Sequence, residues 1–491
     1  MKLKRFVRLT ALLLGVAATS ACSEAPAPPS EVAPFSCQEA PSSLSPELTG
    51  RIDRFVTERM RQGRVPGLSL VVLREGRPAY VRGYGGADLE SGRPMTACSR
   101  VSVGSTTKSM TALAMLRLVE QGQVDLDAPV TRYLPWFQTA DGRGGDILVR
   151  HVLSHTAGLP TSSLLEGDRD DGALERRVRS FSQLSLDRAP GQGWAYANAG
   201  FAIAGLIIQT VSGMPYEQYV EQHVFRPLGM AHATFGPRPD PEAPRAQGYV
   251  WTRGDLVPAP MLLARAQYAS GAATYASAHD VSAYLEALLA RGQGREARVL
   301  LPESVERLWQ PVAPTAPDTS YGFGWYVRRL HGRRAVFHDG RVVGSGSMFL
   351  LFPDEGVAVA TLSNLNSATQ DEVARGVAAL LLDAEPPPAT PPFYRAPSTF
   401  VPDRSVWRQY VGDYQVYSLG RVRLREESGR LLADLFYTQP TLVVELEAYG
   451  DNDFVTRSPL GLNEGLAVSF QHTGDGRTLL RVDGQPLGQK L

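Results

Sequence analysis

The spacing of hydrophobic residues predicts a body that mixes helices and strands. Between residues 105 and 121 apolar side chains recur at helical spacing and also occupy the other faces, which is typical of a buried helix. Residues 68–73 and 77–84 have strand patterns and are joined by a Glu75-Gly76 turn. Further helices are predicted at 200–211, 216–224 and 278–290, and further strands at 335–338, 347–352 and 357–363.

The order of these elements predicts an α+β fold. Strands at both ends of the body, with helices between them, favour one sheet built from both ends of the domain and packed by helices. Later the pattern changes to short alternating strands separated by turn signals, which predicts a small antiparallel barrel or sandwich. A stretch with seven prolines, 385–402, separates the two parts as a linker. We therefore predict one domain at 47–384 and a small all-β domain at 403–491.

The first 22 residues have the composition of an export signal. Four basic residues precede a short apolar stretch, 9–18, which is too short to span a bilayer as a helix. Small residues then lead to Cys22, which favours a lipoprotein signal in which Cys22 carries the lipid. Ordinary cleavage near Ala21, which gives a periplasmic or secreted protein, is the alternative. Residues 23–46 contain six prolines and are predicted to form an extended tether.

Charge and cysteine content narrow the possible functions. The 50 basic and 50 acidic residues of this 491-residue chain cancel, and no run of like charge occurs, which argues against a nucleic-acid partner. Any contact with a membrane is expected only through the lipid anchor. If Cys22 is lipidated, export permits a disulfide between the two other cysteines, Cys37 and Cys98. Two free or buried thiols are the alternative.

One lysine indicates where the chemistry is carried out. The chain has four lysines, of which two lie in the predicted signal and one is the penultimate residue. The fourth, Lys108, lies in the predicted buried helix, where a lysine can lose its proton near neutral pH and an arginine cannot. Ser105 lies three residues earlier on the same helix face, so this amine can activate its hydroxyl as a nucleophile. A helix cap at Ser105 and a surface lysine are the alternative interpretation.

Two further groups of residues are candidates for the site. Tyr196 and Asn198 face the same way in an extended chain, and they can relay a proton and hold a substrate carbonyl. A surface turn capped by Asn198 is the alternative. In His338-Asp339-Gly340, at the end of a predicted strand, the glycine lets a substrate lie close, and the Arg341 N–H can act as an oxyanion donor. A strand-end turn is the alternative, since Asp-Gly commonly makes one.

These three groups, in this order, resemble the motif set of class C β-lactamases and of the related penicillin-binding proteins and esterases. Ser105-Thr106-Thr107-Lys108, Tyr196-Ala197-Asn198 and His338-Asp339-Gly340 carry the resemblance, and the flanks at 103–111, 149–160 and 225–230 are similar too. The likeness covers about residues 47–384. It implies an antiparallel sheet flanked by helices, beside an all-helical region, with the site in the cleft between them.

The resemblance also implies roles for single residues. Ser105 would be acylated, and Lys108 and Tyr196 would exchange its proton. The N–H groups of Ser105 and Arg341 would form the oxyanion hole. The residues implied to bind and orient substrate are Asn198, His338, Gly340 and Arg341.

The third motif departs from that of the true β-lactamases, which usually have Lys-Thr-Gly. Their lysine helps to hold the substrate carboxylate, whereas a histidine is mostly neutral near pH 7. We therefore expect penicillins to turn over slowly or only to acylate the protein. The expected substrate is an ester, amide or D-amino-acid peptide at the cell envelope. A class C-type β-lactamase, a D-Ala-D-Ala carboxypeptidase and a non-catalytic protein that binds cell-wall fragments are the alternatives.

No metal or organic cofactor is expected. His151 and His155 stand four residues apart, but they lack the glutamate of a zinc motif and a third ligand, so we interpret both as structural. The expected partner is a small molecule or a short peptide. The C-terminal domain resembles the small β-barrel appended to many proteins of this family, and its role stays open, as does the oligomeric state.

Overall fold

The computed structural model describes residues 42–491, except 161–162, 165–167, 253–254, 262–263, 272, 389–398, 417–419, 437, 440, 459–464 and 483–484. The described residues all belong to one unit that spans Cys37–Leu491. The predicted signal, most of the predicted tether and part of the predicted linker lie outside the described residues.

A nine-stranded antiparallel sheet lies at the centre of the larger part. Its central strands are buried along almost their whole length, because helices cover both faces. In spatial order the strands are Ala313–Ala316, Thr319–Tyr321, Tyr326–Leu330, Arg333–Val342, Ser345–Phe352, Val357–Ser363, Gly67–Arg74, Arg77–Asp88 and Arg93–Pro94.

Both ends of the domain contribute to this sheet, as the sequence predicts. Gly67–Arg74 pairs with Val357–Ser363 on one side and with Arg77–Asp88 on the other, and Leu68 lies opposite both Ser363 and Tyr84. The α+β prediction, with one sheet built from distant segments, is confirmed.

Two helices, Pro46–Gly63 and Thr369–Leu381, cover one face of the sheet and share a hydrophobic core with it. The first begins where the predicted tether ends. Pro46 occupies a first-turn position that needs no N–H, and the Ser45 hydroxyl accepts a hydrogen bond from the Leu48 N–H at 3.2 Å. Proline at this position therefore starts the helix.

A helical region covers the other face. At its centre lies the helix Thr107–Glu120, whose residues are buried from Thr107 to Leu116, as the apolar pattern predicts. A 3-10 turn, Gly104–Thr106, precedes it, so Ser105 lies before the regular helix. The other helices of the larger part are Val149–Leu153, Ala173–Arg179, Asn198–Ser212, Tyr216–Val220, Arg226–Leu228, Ala278–Leu289 and Pro302–Leu308.

Short elements complete the larger part. A π-helical segment, Glu221–Phe225, divides what the sequence predicts as one helix at 216–224. The three-stranded sheet of Val101–Ser102, Thr274–Ala276 and Thr234–Phe235 leads into the turn that carries Ser105. The remaining elements are the hairpin Tyr249–Thr252 and Asp255–Pro258 and the 3-10 turns Val130–Arg132, Arg143–Asp146, Ser180–Gln183 and Arg265–Ser270.

The C-terminal part is a closed antiparallel barrel of eight strands, which confirms the all-β prediction. Closure leaves the barrel without unpaired edge strands. A short parallel pairing of Thr438–Gln439 with Ser163–Leu164 joins it to the larger part. After the 3-10 turn Arg404–Gln409, the barrel strands are Gly412–Val416, Gly420–Glu427, Arg430–Leu435, Leu442–Ala448, Asp453–Arg457, Ala467–His472, Thr478–Val482 and Gln485–Lys490.

One predicted boundary is wrong in a way that matters for the site. The sequence places His338-Asp339-Gly340 at a strand end, where Asp-Gly commonly turns. The strand instead runs from Arg333 to Val342, and Gly340 lies opposite Ser347 of the next strand. Ladder pairing with Ser345–Phe352 therefore overrides the local turn preference of Asp-Gly.

In the part of the chain that the structure describes, no single helix has both the length and the apolar character needed to cross a bilayer. The segments Asn198–Ser212 and Tyr216–Leu228 meet that standard only together, as a pair bent by 77°.

Candidate active site

Ser105 lies in the 3-10 turn that directly precedes the central helix Thr107–Glu120. It is partly exposed, whereas Gly104 and Thr106 on either side are buried. The turn and the helix after it fix the direction of its hydroxyl. Ser105 is thus the one serine of this buried segment that a substrate can approach.

Lys108 is fully buried, and its amine lies 3.1 Å from Ser105 Oγ. The amine also donates a hydrogen bond to the carbonyl oxygen of Ser270. Burial lowers the pKa of Lys108 well below its ordinary value, and the carboxylate of Asp339 opposes this shift without reversing it. A neutral amine has a lone pair, which can accept the proton of the Ser105 hydroxyl.

Aromatic rings surround this amine. Its nitrogen lies 4.8 Å from the centre of the Tyr196 ring and 5.6 Å from that of Phe201. The Tyr196 hydroxyl is hydrogen-bonded to Ser105, and burial raises the pKa of Tyr196 well above its ordinary value. Tyr196 therefore carries its proton at neutral pH and can pass it on, whereas Lys108 is the group that is ready to accept one.

His155 holds the segment that carries Tyr196. Its backbone oxygen accepts from the Ala195 N–H at 2.9 Å, and its ring Nδ1 accepts from the Ala197 N–H at 3.1 Å. The two rings of His155 and Tyr196 lie 4.3 Å apart. Burial lowers the pKa of His155 well below its ordinary value, and Lys108 adds to the shift. A neutral imidazole with its proton on Nε2 fits these contacts.

Asn198 is the first residue of the helix Asn198–Ser212, and Ala197 occupies the capping position before it. Tyr196 and Asn198 are both partly exposed, whereas Ala197 between them is buried. This alternation is the one that the sequence predicts for two side chains facing the same cleft. The structure thus places Asn198 beside Tyr196 and not in the cap position that the alternative interpretation gives it.

The His338 side chain is 1% exposed and hydrogen-bonded at both ring nitrogens. Nδ1 lies 2.6 Å from the backbone oxygen of Asp339, which can only accept, so Nδ1 carries the proton. Nε2 then accepts from the Tyr321 hydroxyl at 3.0 Å. Burial lowers the pKa of His338 to about 4, with a further contribution from Lys108. His338 is therefore neutral at pH 7, and both nitrogens already have partners within the chain.

Backbone packing brings the two predicted oxyanion donors together. Gly104 has a φ of +58°, and a Cβ added there would lie 2.9 Å from the Arg341 nitrogen. A Cβ on Gly340 would lie 2.0 Å from the oxygen of Val103. Because both glycines lack a side chain, the strand lies directly against the turn that carries Ser105. The N–H groups of Ser105 and Arg341 consequently flank the same small region.

An ion cluster on the opposite face of the sheet holds this strand. The Arg341 guanidinium lies 3.0 Å from Asp339, is hydrogen-bonded to Asp371 of the helix Thr369–Leu381, and donates to the Ser367 oxygen at 3.0 Å. Burial opposes the charge on Asp339, but Arg341 lowers its pKa below the ordinary value. Burial raises the pKa of Asp371 against the pull of Arg341. The side chain of Arg341 thus anchors the strand whose backbone faces Ser105.

Sequence reasoning missed several residues of the site. The Ser270 carbonyl has no sequence signal. A Cβ on Gly271, whose φ is +125°, would lie 2.8 Å from Ser105 Cα, so only glycine fits there. Tyr321 and Asp371 come from distant segments. His155, which the sequence predicts to be structural, also lies at the site, and its sequence signal is the block at 149–160 that resembles the family.

The two histidines that stand four residues apart have separate roles. His151 Nδ1 accepts from the Leu148 N–H at 3.2 Å, at the start of the helix Val149–Leu153, and His155 lies at the active site. In the described residues no group of three or more histidine, cysteine, aspartate or glutamate side chains is placed to hold a metal ion.

Cys98 is disulfide-bonded. The two other cysteines of the chain, Cys22 and Cys37, lie outside the described residues. The lipidation of Cys22 and the pairing of Cys37 with Cys98 stay predictions.

A serine next to a buried lysine, a tyrosine on its hydroxyl and two backbone donors on an α+β scaffold form a site of the kind that lysine-assisted serine hydrolases have. A family model described as Beta-lactamase matches residues 52–384, and the chain belongs to that family.

Similar proteins include an enzyme and a protein without a stated activity. Esterase EstB from Burkholderia gladioli is 33% identical over 314 residues, which cover 57% of this chain and 79% of that protein. Protein flp from Staphylococcus aureus (strain MW2) is 26% identical over 332 residues, which cover 66% of this chain and 64% of that protein. The chain thus spans less than two thirds of the length of Protein flp.

Solved structures match nearly the whole chain. The octameric penicillin-binding protein homologue from Pyrococcus abyssi has a TM-score of 0.60 at 22% identity, covering 90% of this chain and 99% of that one. SurE, in a crystal structure with D-Leu, has a TM-score of 0.61 at 23% identity, covering 91% and 100%. At these identities the matches show the fold, and their extent reaches past residue 384 into the barrel.

Proposed function

We propose that this protein hydrolyses esters of small acyl groups, and related amides or D-amino-acid peptides, through an acyl-enzyme on Ser105. The observation that carries the proposal is the amine of Lys108, which is buried, has a lowered pKa and lies 3.1 Å from Ser105 Oγ. Esters come first in this proposal because EstB, at 33% identity, is an esterase by name.

The first half of the reaction forms the acyl-enzyme. Ser105 Oγ attacks the substrate carbonyl carbon while its proton passes to the neutral amine of Lys108. The carbonyl oxygen becomes an oxyanion between the N–H groups of Ser105 and Arg341. The bond to the leaving group then breaks, and the leaving oxygen or nitrogen takes a proton from Tyr196, which Lys108 replaces. Ser105 is left as an ester, and both proton carriers return to their starting states.

The second half releases the acid. A water molecule gives a proton to the same Lys108 and Tyr196 pair and attacks the acyl carbon. The same two N–H groups stabilise the second oxyanion. When the bond to Ser105 Oγ breaks, the oxygen recovers the proton, and the free acid leaves.

A β-lactamase or D-Ala-D-Ala carboxypeptidase is the second candidate. Both act on substrates with a carboxylate that a cation helps to hold. His338 is neutral with a pKa of about 4, and both of its nitrogens are engaged by Asp339 and Tyr321. These contacts support the ester proposal over the second candidate.

We further propose that the enzyme works outside the cytoplasm, anchored through a lipid on Cys22. The disulfide at Cys98 supports an oxidising compartment. Labelling of expressing cells with a fatty-acid analogue should mark the wild type and not Cys22→Ala. Equal labelling of both would contradict the anchor.

The experiment on the activity compares wild type with Ser105→Ala on 4-nitrophenyl butyrate. We expect Ser105→Ala to lose at least about 1,000-fold in kcat/KM, since it removes the nucleophile. Ser180→Ala, which changes an exposed serine, is the matched control and should keep wild-type activity. A phosphonate ester should add its mass to wild type at Ser105 only.

The outcomes separate the candidates. Faster turnover of nitrocefin than of the ester would favour the β-lactamase. Equal rates in wild type and Ser105→Ala, or no activity and no labelling, would contradict an acyl-enzyme on Ser105 and favour a binding protein.

A further inference from the structure

A small cavity lies one residue beyond the oxyanion hole. It has a volume of about 40 Å³, and its walls come from Ser102 and from residues at 245–248, 259–261, 273–275 and 342–345. One of these segments follows Arg341 in the chain, from the strand end at Val342 into the turn at Gly344. Another continues from Gly271, which packs against Ser105, to Ala273 and Tyr275. Both segments thus join the cavity directly to residues that pack against the turn of Ser105.

Five of the residues that line the cavity are alanine or glycine, and its size limits what can enter. Ala246, Gly248, Ala259, Ala273 and Gly344 leave a narrow space. A volume of about 40 Å³ corresponds to about three water molecules, or to a group of about three heavy atoms. The cavity therefore fits the end of a short chain and excludes a ring.

Two polar groups that line this space lack a partner among the described residues: Ser102 lacks a hydrogen-bond partner and Arg245 lacks a counter-ion. Ser102 is 7% exposed, and its buried hydroxyl has no hydrogen-bond partner among the described residues. Arg245 is partly exposed and lies over the ring of Tyr275, 5.9 Å from the ring centre. No carboxylate of the described residues forms an ion pair with Arg245. A buried hydroxyl without a partner costs free energy that a ligand can recover, and a cation without a counter-ion can attract an anion.

Two further arginines lie next to the backbone of Arg245. Its backbone oxygen accepts a hydrogen bond from Arg93 at 2.7 Å, and its own segment pairs with Arg100. The Arg245 side chain is also hydrogen-bonded to the Tyr275 hydroxyl. The field in the cavity therefore favours an anion of the size of a carboxylate.

We propose that this cavity is an acyl-chain pocket that binds a terminal carboxylate, so that the preferred substrates are esters or amides of short dicarboxylic acids. The carboxylate fills the cavity, where the guanidinium of Arg245 binds it and the hydroxyls of Ser102 and Tyr275 donate to it, and the methylene groups connect it to the ester on Ser105. This proposal rests on the hydrolase function proposed above, and it names the acyl group on which that function acts.

The kinetic test uses matched acyl chains. Mono-4-nitrophenyl esters of glutarate, adipate and pimelate are compared with neutral 4-nitrophenyl esters of equal chain length, and rates with Ser105→Ala are subtracted as background. We expect wild type to prefer the carboxylate ester at one chain length by about tenfold in kcat/KM. Arg245→Gln should remove that ratio, and Arg245→Lys should restore part of it. Ser102→Ala should reduce it about threefold.

The matched control is Arg77→Gln, which removes an arginine with an 82% exposed side chain elsewhere on the domain. It should leave the ratio of carboxylate to neutral ester as in wild type. No preference for a carboxylate at any chain length, or the same ratio in Arg245→Gln as in wild type, would overturn the proposal.

A binding measurement separates this proposal from the activity itself. Glutarate is titrated into Ser105→Ala and into the double variant with Arg245→Gln, with ligand-observed NMR as the readout. Saturable binding that weakens about tenfold in the double variant supports the pocket even where no ester is turned over. Equal binding by both proteins, or no binding by either, overturns the pocket, whatever the outcome for Ser105.

Discussion

The two parts of the chain on either side of the linker differ in where they place ionisable side chains with shifted pKa values. In the barrel, the strands alternate between apolar residues that fill the interior and charged residues outside, such as Arg425 and Asp434 at 2.9 Å. In the hydrolase part, Lys108, His155 and His338 are buried beneath the cleft. Burying such groups costs free energy, and a cluster of them with shifted pKa values is typical of a functional site. The buried groups with lowered pKa values near Ser105 are therefore the ones to test for a role in the reaction.

Replacement of Lys108 is the strongest test of this difference. Lys108→Met keeps the length and burial of the side chain but removes the base. We expect kcat/KM for 4-nitrophenyl butyrate to fall at least about 1,000-fold, because proton transfer from Ser105 loses its acceptor. Thermal stability should stay equal or rise, because a buried amine is replaced by an apolar group. A loss of activity that merely follows a loss of folded protein would contradict this assignment.

The pH dependence of stability gives the second test, at His338. Its pKa of about 4 in the folded protein lies below the ordinary 6.5, so the unfolded chain binds more protons between these values. Folding stability is therefore fully present above about pH 6.5 and falls as the pH drops toward 4, by up to about 3 kcal/mol. Urea unfolding curves recorded from pH 7 to pH 4 should show that His338→Gln loses less folding stability over this range than wild type, by about that amount. Parallel curves for the two proteins would contradict a neutral, buried His338.

The ion cluster behind the oxyanion strand gives an intermediate effect. Asp371→Asn removes a carboxylate from Arg341 while Asp339 remains. We expect kcat to fall about tenfold with little change in KM, because the Arg341 N–H shifts relative to the developing oxyanion. The matched control is Asp354→Asn, which removes the exposed partner of Arg334 on the same strand and should leave kcat unchanged. Equal effects of the two variants would assign Asp371 a purely structural role.

The barrel should show the smallest effect. Asp434→Asn removes one of the two carboxylate partners of Arg425. We expect at most about 1 kcal/mol of lost stability in urea unfolding, and no change in kcat/KM, because Arg425 is partly exposed and keeps Glu427 as its partner. A larger loss of activity would show that the barrel takes part in the reaction.

Local patterns were enough to predict several of the elements and part of the site. The apolar spacing around Lys108 predicts a buried helix, and alternation predicts the strand Val357–Ser363 at its observed limits. The lysine count and the i, i+3 spacing are local properties of the sequence, so they are sufficient to pair Ser105 with Lys108. The structure brings Tyr196 and the Arg341 nitrogen to the same place.

Other features depend on contacts that no local pattern records. The Ser270 oxygen reaches Lys108 across 162 residues, and Tyr321 reaches His338 from another strand. The turn preference of Asp339-Gly340 is local, but pairing with Ser345–Phe352 decides the outcome. The burial of His338, and with it the loss of its charge, follows from packing and not from its neighbours in sequence.

The sheet built from both ends of the domain has a consequence for how the protein folds during its synthesis. Ser347 donates a hydrogen bond to the oxygen of Val103, 244 residues earlier, next to the turn that carries Ser105. A nascent chain that has left the ribosome only as far as its central helix has a nucleophile but no oxyanion hole. Its apolar strand Gly67–Arg74 also waits for Val357–Ser363 before it can be covered. The unfinished chain therefore cannot form the oxyanion hole until the last strands of the sheet have been made. Until then its uncovered apolar strand also makes it prone to aggregation.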